Sequence, residues 1–184
     1  MNDIPVKAVM IPISSYVTVS KTDSLVDVLT ALEEARRSKN DHAHRDAIVV
    51  DENNIFIGKV TMLDVFRALE PNYKKVEHGQ KKGILPEDWV MKSVKDFGLW
   101  MEPAKTVCER GGRLSVWEVM HTPEKSEYIQ EDDTLEKALH LYVMGVHQPL
   151  IVQNGTQVTG VLRFGDVFEV VRKDLLNCTP SSKN

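Results

Sequence analysis

The chain has 184 residues, of which 42% are hydrophobic and 27% are charged, and its formal net charge is −4. These proportions are typical of a folded globular protein and exclude wholesale disorder. The acidic balance argues against a protein that mainly binds nucleic acid, and no apolar run approaches the roughly 20 residues that span a bilayer. The first residues do not resemble a signal peptide, so the sequence predicts a cytoplasmic protein with no membrane partner.

One unit of sequence occurs twice in the chain. The pair Val9-Met10 recurs 110 positions later as Val119-Met120, and Leu25 recurs at the same spacing as Leu135. Residues 58–66 resemble residues 160–168, which are 102 positions further on, so the first copy carries 8 extra residues between these anchors. Because neither copy is large enough to bury much core alone, we expect the two to form a pair.

Each copy is predicted to fold in the order β-α-β-β-α. In the two copies the predicted strands are 17–19, 47–51, 55–60, 128–129, 149–153 and 157–162. The pairs Asp23-Ser24 and Asp133-Thr134 are typical helix N-caps. The helices that they begin have apolar residues at a period of 3.6, namely Leu25, Val28, Leu29 and Leu32, and Leu135, Ala138, Leu139 and Tyr142. The closing helices are predicted at 61–69 and from 163 to about 176.

The remaining segments depart from the repeat. The polar stretch 36–46 holds the extra residues and is predicted to be a helix end and a loop. Residues 71–113 form a linker, in which Pro86 and two acidic residues predict a helix at about 86–100. The repeat therefore predicts domains at 4–70 and 114–176 and a tail at 177–184, of which residues 179–184 are expected to be disordered.

The spacing Gly58-x-x-Thr61-x-x-Asp64 marks the point where the last strand of the first copy becomes its last helix. A glycine there allows a close approach to the backbone, and the helix N-terminus with the Thr61 hydroxyl attracts a phosphate. The Asp64 carboxylate has two acceptor oxygens that suit the two hydroxyls of a ribose. The alternative interpretation is that Thr61 is an ordinary helix cap and Asp64 an acid that compensates the helix dipole.

With its two β-α-β-β-α copies and this motif, the sequence resembles a tandem pair of CBS domains, the Bateman module. The resemblance implies an α+β fold of two CBS units related by a pseudo-two-fold axis, joined here by a partly helical linker. It also implies adenosine ligands, namely AMP, ADP, ATP or S-adenosylmethionine, in clefts between the two domains. In such a cleft the aspartate holds the ribose and the Ser/Thr lies near the phosphate.

The second copy departs from the family pattern at one position. It keeps Gly160 and Asp166 but has Arg163 where the family has Ser or Thr. Arg163 could offer a charged contact to phosphate, with His147 or Arg45 as the next candidates, or its bulk could fill the cleft. We expect the second site to be occupied less readily than the first.

The resemblance also implies which residues line the adenine pockets. For the first copy these are Ile13, in the segment after the leading methionine, and His44, Arg45 and Ala47, before the buried strand. For the second copy the implied residues are His147, Gln148 and Pro149, together with Thr122 and Pro123.

No constellation of side chains predicts catalysis. In the pattern His42-x-His44-x-Asp46 the two histidines lack a clear third and fourth metal ligand, and Cys108 has no histidine base near it in sequence. We therefore expect no enzyme activity, no metal and no required cofactor. The lysine-rich part of the linker is interpreted as a solvated loop.

The sequence thus favours a stand-alone regulatory module that binds an adenine nucleotide and signals its occupancy to an unknown regulated protein. The alternative is a structural dimerisation module with vestigial nucleotide sites. In either case a homodimer is expected, formed through apolar faces of the closing helices, with Val65, Phe66, Val167 and Phe168 as contributors.

Overall fold

The computed structural model describes residues 3–38, 45–77 and 87–177. Its strands are β1 (Ile11–Pro12), β2 (Thr18–Ser20), β3 (Ala47–Val50), β4 (Phe56–Val60), β5 (Tyr128–Gln130), β6 (Leu150–Asn154) and β7 (Gln157–Leu162). Its α-helices are α1 (Leu25–Arg37), α2 (Met62–Leu69), α3 (Tyr73–Glu77), α4 (Glu87–Phe97), α5 (Ala104–Gly111), α6 (Val116–Val119), α7 (Leu135–Val143) and α8 (Phe164–Asn177). Short 3-10 helices lie at Val6–Ala8, Ile13–Ser15 and Lys125–Glu127. Within these ranges no helix is long and apolar enough to cross a membrane.

The chain forms two compact units. The central unit is Val17–Thr122, and the terminal unit combines Met1–Tyr16 with Pro123–Asn184. Both units mix helices with a sheet that contains parallel and antiparallel pairs. The predicted α+β class is confirmed.

The central unit is built on a sheet with the order β2-β3-β4. Strand β2 is parallel to β3, and β3 is antiparallel to β4 with Ala47 opposite Val60. Helices α1 and α6 contribute buried side chains to the core beside this sheet, and α2 packs against that core. Burying these apolar side chains stabilises the unit. The buried residues of this core are Val19, Leu25, Val28, Ala47, Val49, Val60, Val116 and Val119.

The terminal unit repeats this arrangement with one more strand, in the order β1-β7-β6-β5. Strand β5 is parallel to β6, whereas β7 is antiparallel to both β6 and β1. The core contains Val6, Ile129, Leu135, Ala138, Tyr142, Leu150, Val152, Leu162 and Val167. The Tyr142 hydroxyl donates to the Leu162 carbonyl oxygen and accepts a bond of 3.2 Å from the Leu150 amide, which ties α7 to the sheet.

The leading segment of each sequence copy belongs to the compact unit of the other copy. The Val6 amide donates to the Asp133 carbonyl oxygen at 2.8 Å, and Val6 is fully buried in the terminal unit. At the equivalent position, the Val116 amide donates to the Asp23 carbonyl oxygen at 2.8 Å, and Val116 is fully buried in the central unit. The compact units therefore begin and end at different residues from the sequence repeat, because each core needs an apolar residue from the other copy's leading segment.

The order β-α-β-β-α holds in both copies, and the predicted strand 157–162 matches β7. Leu29 was predicted on the buried face of α1, but it is 48% exposed.

In the linker, α4 ends at Phe97, a turn earlier than predicted, because Gly98 takes a left-handed backbone conformation with φ of 61°. Helices α3, α5 and α6 were not predicted, because they have only 5, 8 and 4 residues. The tail beyond Asn177 and residues 39–44 of the predicted loop lie outside the described residues.

Candidate functional site

Thr61 and Asp64 form a reciprocal cap at the start of α2. The Asp64 amide donates to Thr61 Oγ1 at 3.4 Å, while Asp64 Oδ2 accepts from the Thr61 amide at 2.9 Å and from the Thr61 hydroxyl at 2.6 Å. Both residues are buried, with Thr61 9% and Asp64 6% exposed. The helix-cap interpretation of the motif is therefore realised in the structure.

A second cap shows what is particular to Asp64. Ser24 and Asp27 form the same reciprocal box at the start of α1, with Asp27 Oδ2 accepting from the Ser24 amide at 2.9 Å. Asp27 is exposed, so its carboxylate serves the cap at little desolvation cost. Asp64 makes the same bonds, but its carboxylate is buried. Burying that charge costs desolvation free energy that an exposed capping residue such as Asp27 does not lose.

Gly58 and Gly160 admit protein backbone rather than a ligand. A Cβ on Gly58 would lie 2.9 Å from the His121 carbonyl oxygen, and the next residue, Lys59, exchanges backbone hydrogen bonds of 3.0 and 2.8 Å with His121. A Cβ on Gly160 would lie 2.6 Å from the Ile11 carbonyl oxygen, where β1 pairs with β7. The close approach predicted at Gly58 thus exists, but the chain itself makes it within each unit.

Arg163 binds the aspartate of its own copy. Its Nε donates to Asp166 Oδ2 and its Nη2 to Asp166 Oδ1, each at 2.7 Å. The two side chains are 20% and 18% exposed, so water screens this bidentate pair only in part. Both oxygens that the motif would offer to a ribose therefore accept a charged bond from the guanidinium, which would have to move or share them for a ribose to bind.

The two copies consequently present different chemistry at equivalent positions. The start of α2 carries a hydroxyl and a carboxylate, as the family pattern requires. At the start of α8 the Arg163–Asp166 pair takes the place of that cap. The asymmetry predicted from the single substitution at Arg163 has a structural counterpart, although it is an ion pair with Asp166 that the sequence interpretation did not foresee.

The residues implied for the adenine pockets occupy varied surroundings. Ala47 is fully buried in the core of the central unit, and Pro149 is buried after a cis peptide bond with Gln148. Ile13 is half-buried in a 3-10 helix, and Arg45 is exposed just before β3. His44 lies outside the described residues, as does His42.

His147 lies beside a buried acid that sequence reasoning missed. Its Nδ1 is 3.9 Å from Oε2 of Glu127, a residue that is 3% exposed. Glu127 Oε1 accepts from the Glu124 amide at 3.0 Å and caps the short helix before β5. Burial raises the pKa of the neighbouring Tyr128, and the Glu127 charge raises it further. The spacing Glu124-x-x-Glu127 resembles a capping box and was the available signal.

Cys108 lies exposed on α5.

Val167 was expected on an apolar docking face. It is fully buried in the core of the terminal unit, so that expectation was wrong for this residue. Its burial follows from the helical period, because the side chain one turn from Arg163 faces the sheet. Phe66 and Phe168 are 54% and 56% exposed, while Val65 packs against the central core.

Comparison with known proteins supports the sequence resemblance. Residues 6–71 match the CBS domain family. The resemblance of the first copy to a CBS domain is thus confirmed. The match covers the first copy, and at the level of sequence no curated protein matches the chain.

Solved structures extend the likeness to both copies. The chain is similar to the CBS-pair protein CBSX2 of Arabidopsis thaliana in complex with AMP, with 18% identity, a TM-score of 0.58, and 94% of this chain and 98% of that chain covered. It is similar to a CBS domain-containing protein of unknown function from Bacillus anthracis, with 17% identity, a TM-score of 0.59, and coverage of 94% and 95%. It is also similar to the CBS domain of a bacterial CNNM/CorC family Mg²⁺ transporter in complex with ATP, with 17% identity, a TM-score of 0.57, and coverage of 93% and 89%. The fold is therefore that of tandem CBS-domain proteins, as the sequence resemblance predicted.

Proposed function

We propose that this protein is a regulatory module that binds one adenine nucleotide through its first copy and does not itself catalyse a reaction. The observation that carries the proposal is the buried Thr61–Asp64 pair at the start of α2. Two structural relatives, CBSX2 and the CNNM/CorC domain, were solved in complex with AMP and ATP. These complexes support an adenine nucleotide as the ligand class.

The chemistry of the pair suits a ribose phosphate. A carboxylate oxygen can accept more than one hydrogen bond, so Asp64 could keep its cap and still accept from ribose hydroxyls. The positive end of the α2 dipole would favour a phosphate group. The Thr61 hydroxyl would have to turn from Asp64 Oδ2 to donate to that phosphate. Binding would act on the regulated protein only if the nucleotide has different affinities for two arrangements of the module.

A melting experiment separates this function from the vestigial-site alternative. AMP, ADP, ATP and S-adenosylmethionine are each titrated against the purified chain, with GMP as a base control, and the unfolding temperature is recorded. A ligand at 100 times its dissociation constant should stabilise the folded state by about 2.7 kcal/mol. An adenine ligand that raises the unfolding temperature while GMP does not supports the sensor, whereas no shift from any of them supports a purely structural module.

The Arg163–Asp166 pair leads us to propose that the second copy is closed to ribose. Replacing Arg163 by threonine removes the guanidinium from both Asp166 oxygens and restores the hydroxyl that the family pattern has. We expect R163T to gain a second binding event for adenosine ligands, measured by calorimetry, including adenosine itself. If R163T instead weakens nucleotides in proportion to their phosphate charge, Arg163 is a phosphate ligand and the closed-site proposal fails.

We further propose that two chains associate through exposed apolar residues on the closing helices. Phe66 on α2 and Phe168 on α8 remain the candidates, since each exposes about half of its side chain. Such large apolar side chains on a surface are typical of protein contacts. The regulated protein would then meet a homodimer.

A further inference from the structure

A cavity of about 410 Å³ lies within the central unit, between α2 and the linker helices. Leu63 and Phe66 of α2 form one wall, while Trp89 and Ser93 of α4 and the following Trp100 form the other. Most of its wall comes from the linker, a segment without a counterpart in the repeat. Its volume falls within the roughly 300–1,000 Å³ of small-molecule sites.

Trp100 is held at this cavity in an unfavourable backbone conformation. Its φ is 57°, in the left-handed region that bulky residues rarely adopt. Its amide donates to Glu70 Oε2 at 2.6 Å, its indole Nε1 donates to the Tyr73 hydroxyl at 3.1 Å, and its ring meets Phe66 edge-on at 6.3 Å. Glu70 is 2% exposed, so a buried carboxylate is committed to this turn. Strained backbone supported in this way is typical of binding sites.

The charges around the cavity favour an anion. Among the described residues that line it, Arg67 is the charged one. An adjoining recess of about 250 Å³ shares Trp89 and Ser93 with the cavity and adds Lys75, Lys92 and Asp96. The residues that line the cavity and the recess thus include three cationic side chains and one anionic side chain, among walls that are mostly aromatic and aliphatic. The buried Glu70 carboxylate, which accepts from the Trp100 amide, is a second acidic group beside them.

We propose that this cavity binds a small aromatic anion. The flat apolar body of the ligand lies against Phe66, Trp89 and Trp100, where aromatic rings pack edge-on or offset. Its negative group meets Arg67, whose planar guanidinium suits a carboxylate or sulfonate. Neither Thr61 nor Asp64 lines this site, so the site can exist whether or not the proposed nucleotide site binds a nucleotide.

Two fluorescent probes with matched ring systems test the proposal. Anilinonaphthalene sulfonate carries one sulfonate, and N-phenyl-1-naphthylamine has the same rings without it. Both are titrated against the wild-type chain, R67Q, S93L and the control R172Q, which removes an exposed arginine of α8 in the terminal unit. The thermal unfolding of each variant is recorded first, and only variants with a cooperative transition are titrated.

We expect saturable binding of both probes to the wild type and to R172Q. R67Q should weaken the sulfonate probe about two- to fivefold and leave the neutral probe unchanged, since a half-solvated charge contact is worth up to about 1 kcal/mol. S93L, which fills the cavity, should weaken both probes by about tenfold or more. Equal weakening of both probes by R67Q overturns the anion preference. Binding unchanged in S93L, or displacement of the probes by AMP, overturns the separate site.

Discussion

Replacing Gly160 by alanine is expected to lower the free energy of unfolding by about 2–3 kcal/mol, measured by urea denaturation. The new Cβ would lie 2.6 Å from the Ile11 carbonyl oxygen and 2.9 Å from Met10 Sδ. The methionine tip can move, but the carbonyl oxygen belongs to β1, which is paired with β7. Relieving the clash would move β1 away from β7.

Gly165 provides the matched control for this change. It lies on α8, where a Cβ would meet nothing within 4 Å. G165A should therefore be neutral or stabilise the protein by up to about 1 kcal/mol, since alanine is the better helix former. If G160A is as stable as G165A, β1 does not pack against Gly160 as described.

Replacing Asp64 by alanine is expected to weaken adenine nucleotide binding about ten- to a hundredfold, measured by calorimetry. The loss of a charged acceptor accounts for roughly 1.5–3 kcal/mol. The change also removes the acceptor of two bonds in the α2 cap, so the variant should melt at a lower temperature than the wild type. Affinity must therefore be measured well below that temperature.

Two variants separate the ribose contact from the cap. D27A removes the equivalent acid from the box at the start of α1, so it should lower the melting temperature without changing nucleotide affinity. D166A should also leave affinity nearly unchanged, because Arg163 already holds that carboxylate. Equal losses in D64A and D166A would mean that the second copy binds nucleotide as the first does.

The fold of each copy was predictable because its signals are local. The cap at Ser24 and the 3.6-residue period after Leu25 specify a helix, and the turn residues at 154–156 mark the start of the strand that ends at Leu162. The exchange of leading segments was not predictable in this way. Whether Val6 packs on its own copy or on the other one depends on contacts more than 100 residues apart in sequence, for which the sequence pattern carries no signal.

The candidate site was predictable in part for the same reason. The spacing of Thr61 and Asp64 fixes a reciprocal cap, since residues three apart face each other on a helix. That same spacing allows Arg163 to reach Asp166, but the choice between this partner and a ligand depends on three-dimensional surroundings. The linker cavity was missed because its lysine-rich sequence indicated a solvated loop, whereas Trp89 and Trp100 meet α2 only after the chain folds back.

The stoichiometry of AMP binding to the wild-type chain tests the central claim most directly. Isothermal titration calorimetry at a protein concentration above the dissociation constant gives the number of sites per chain. The proposed module, with its first copy open at Asp64 and its second copy closed by Arg163, predicts one AMP per chain. Two equal sites per chain would contradict the closed second copy, and the absence of any binding by AMP, ADP, ATP or S-adenosylmethionine would contradict the nucleotide sensor itself.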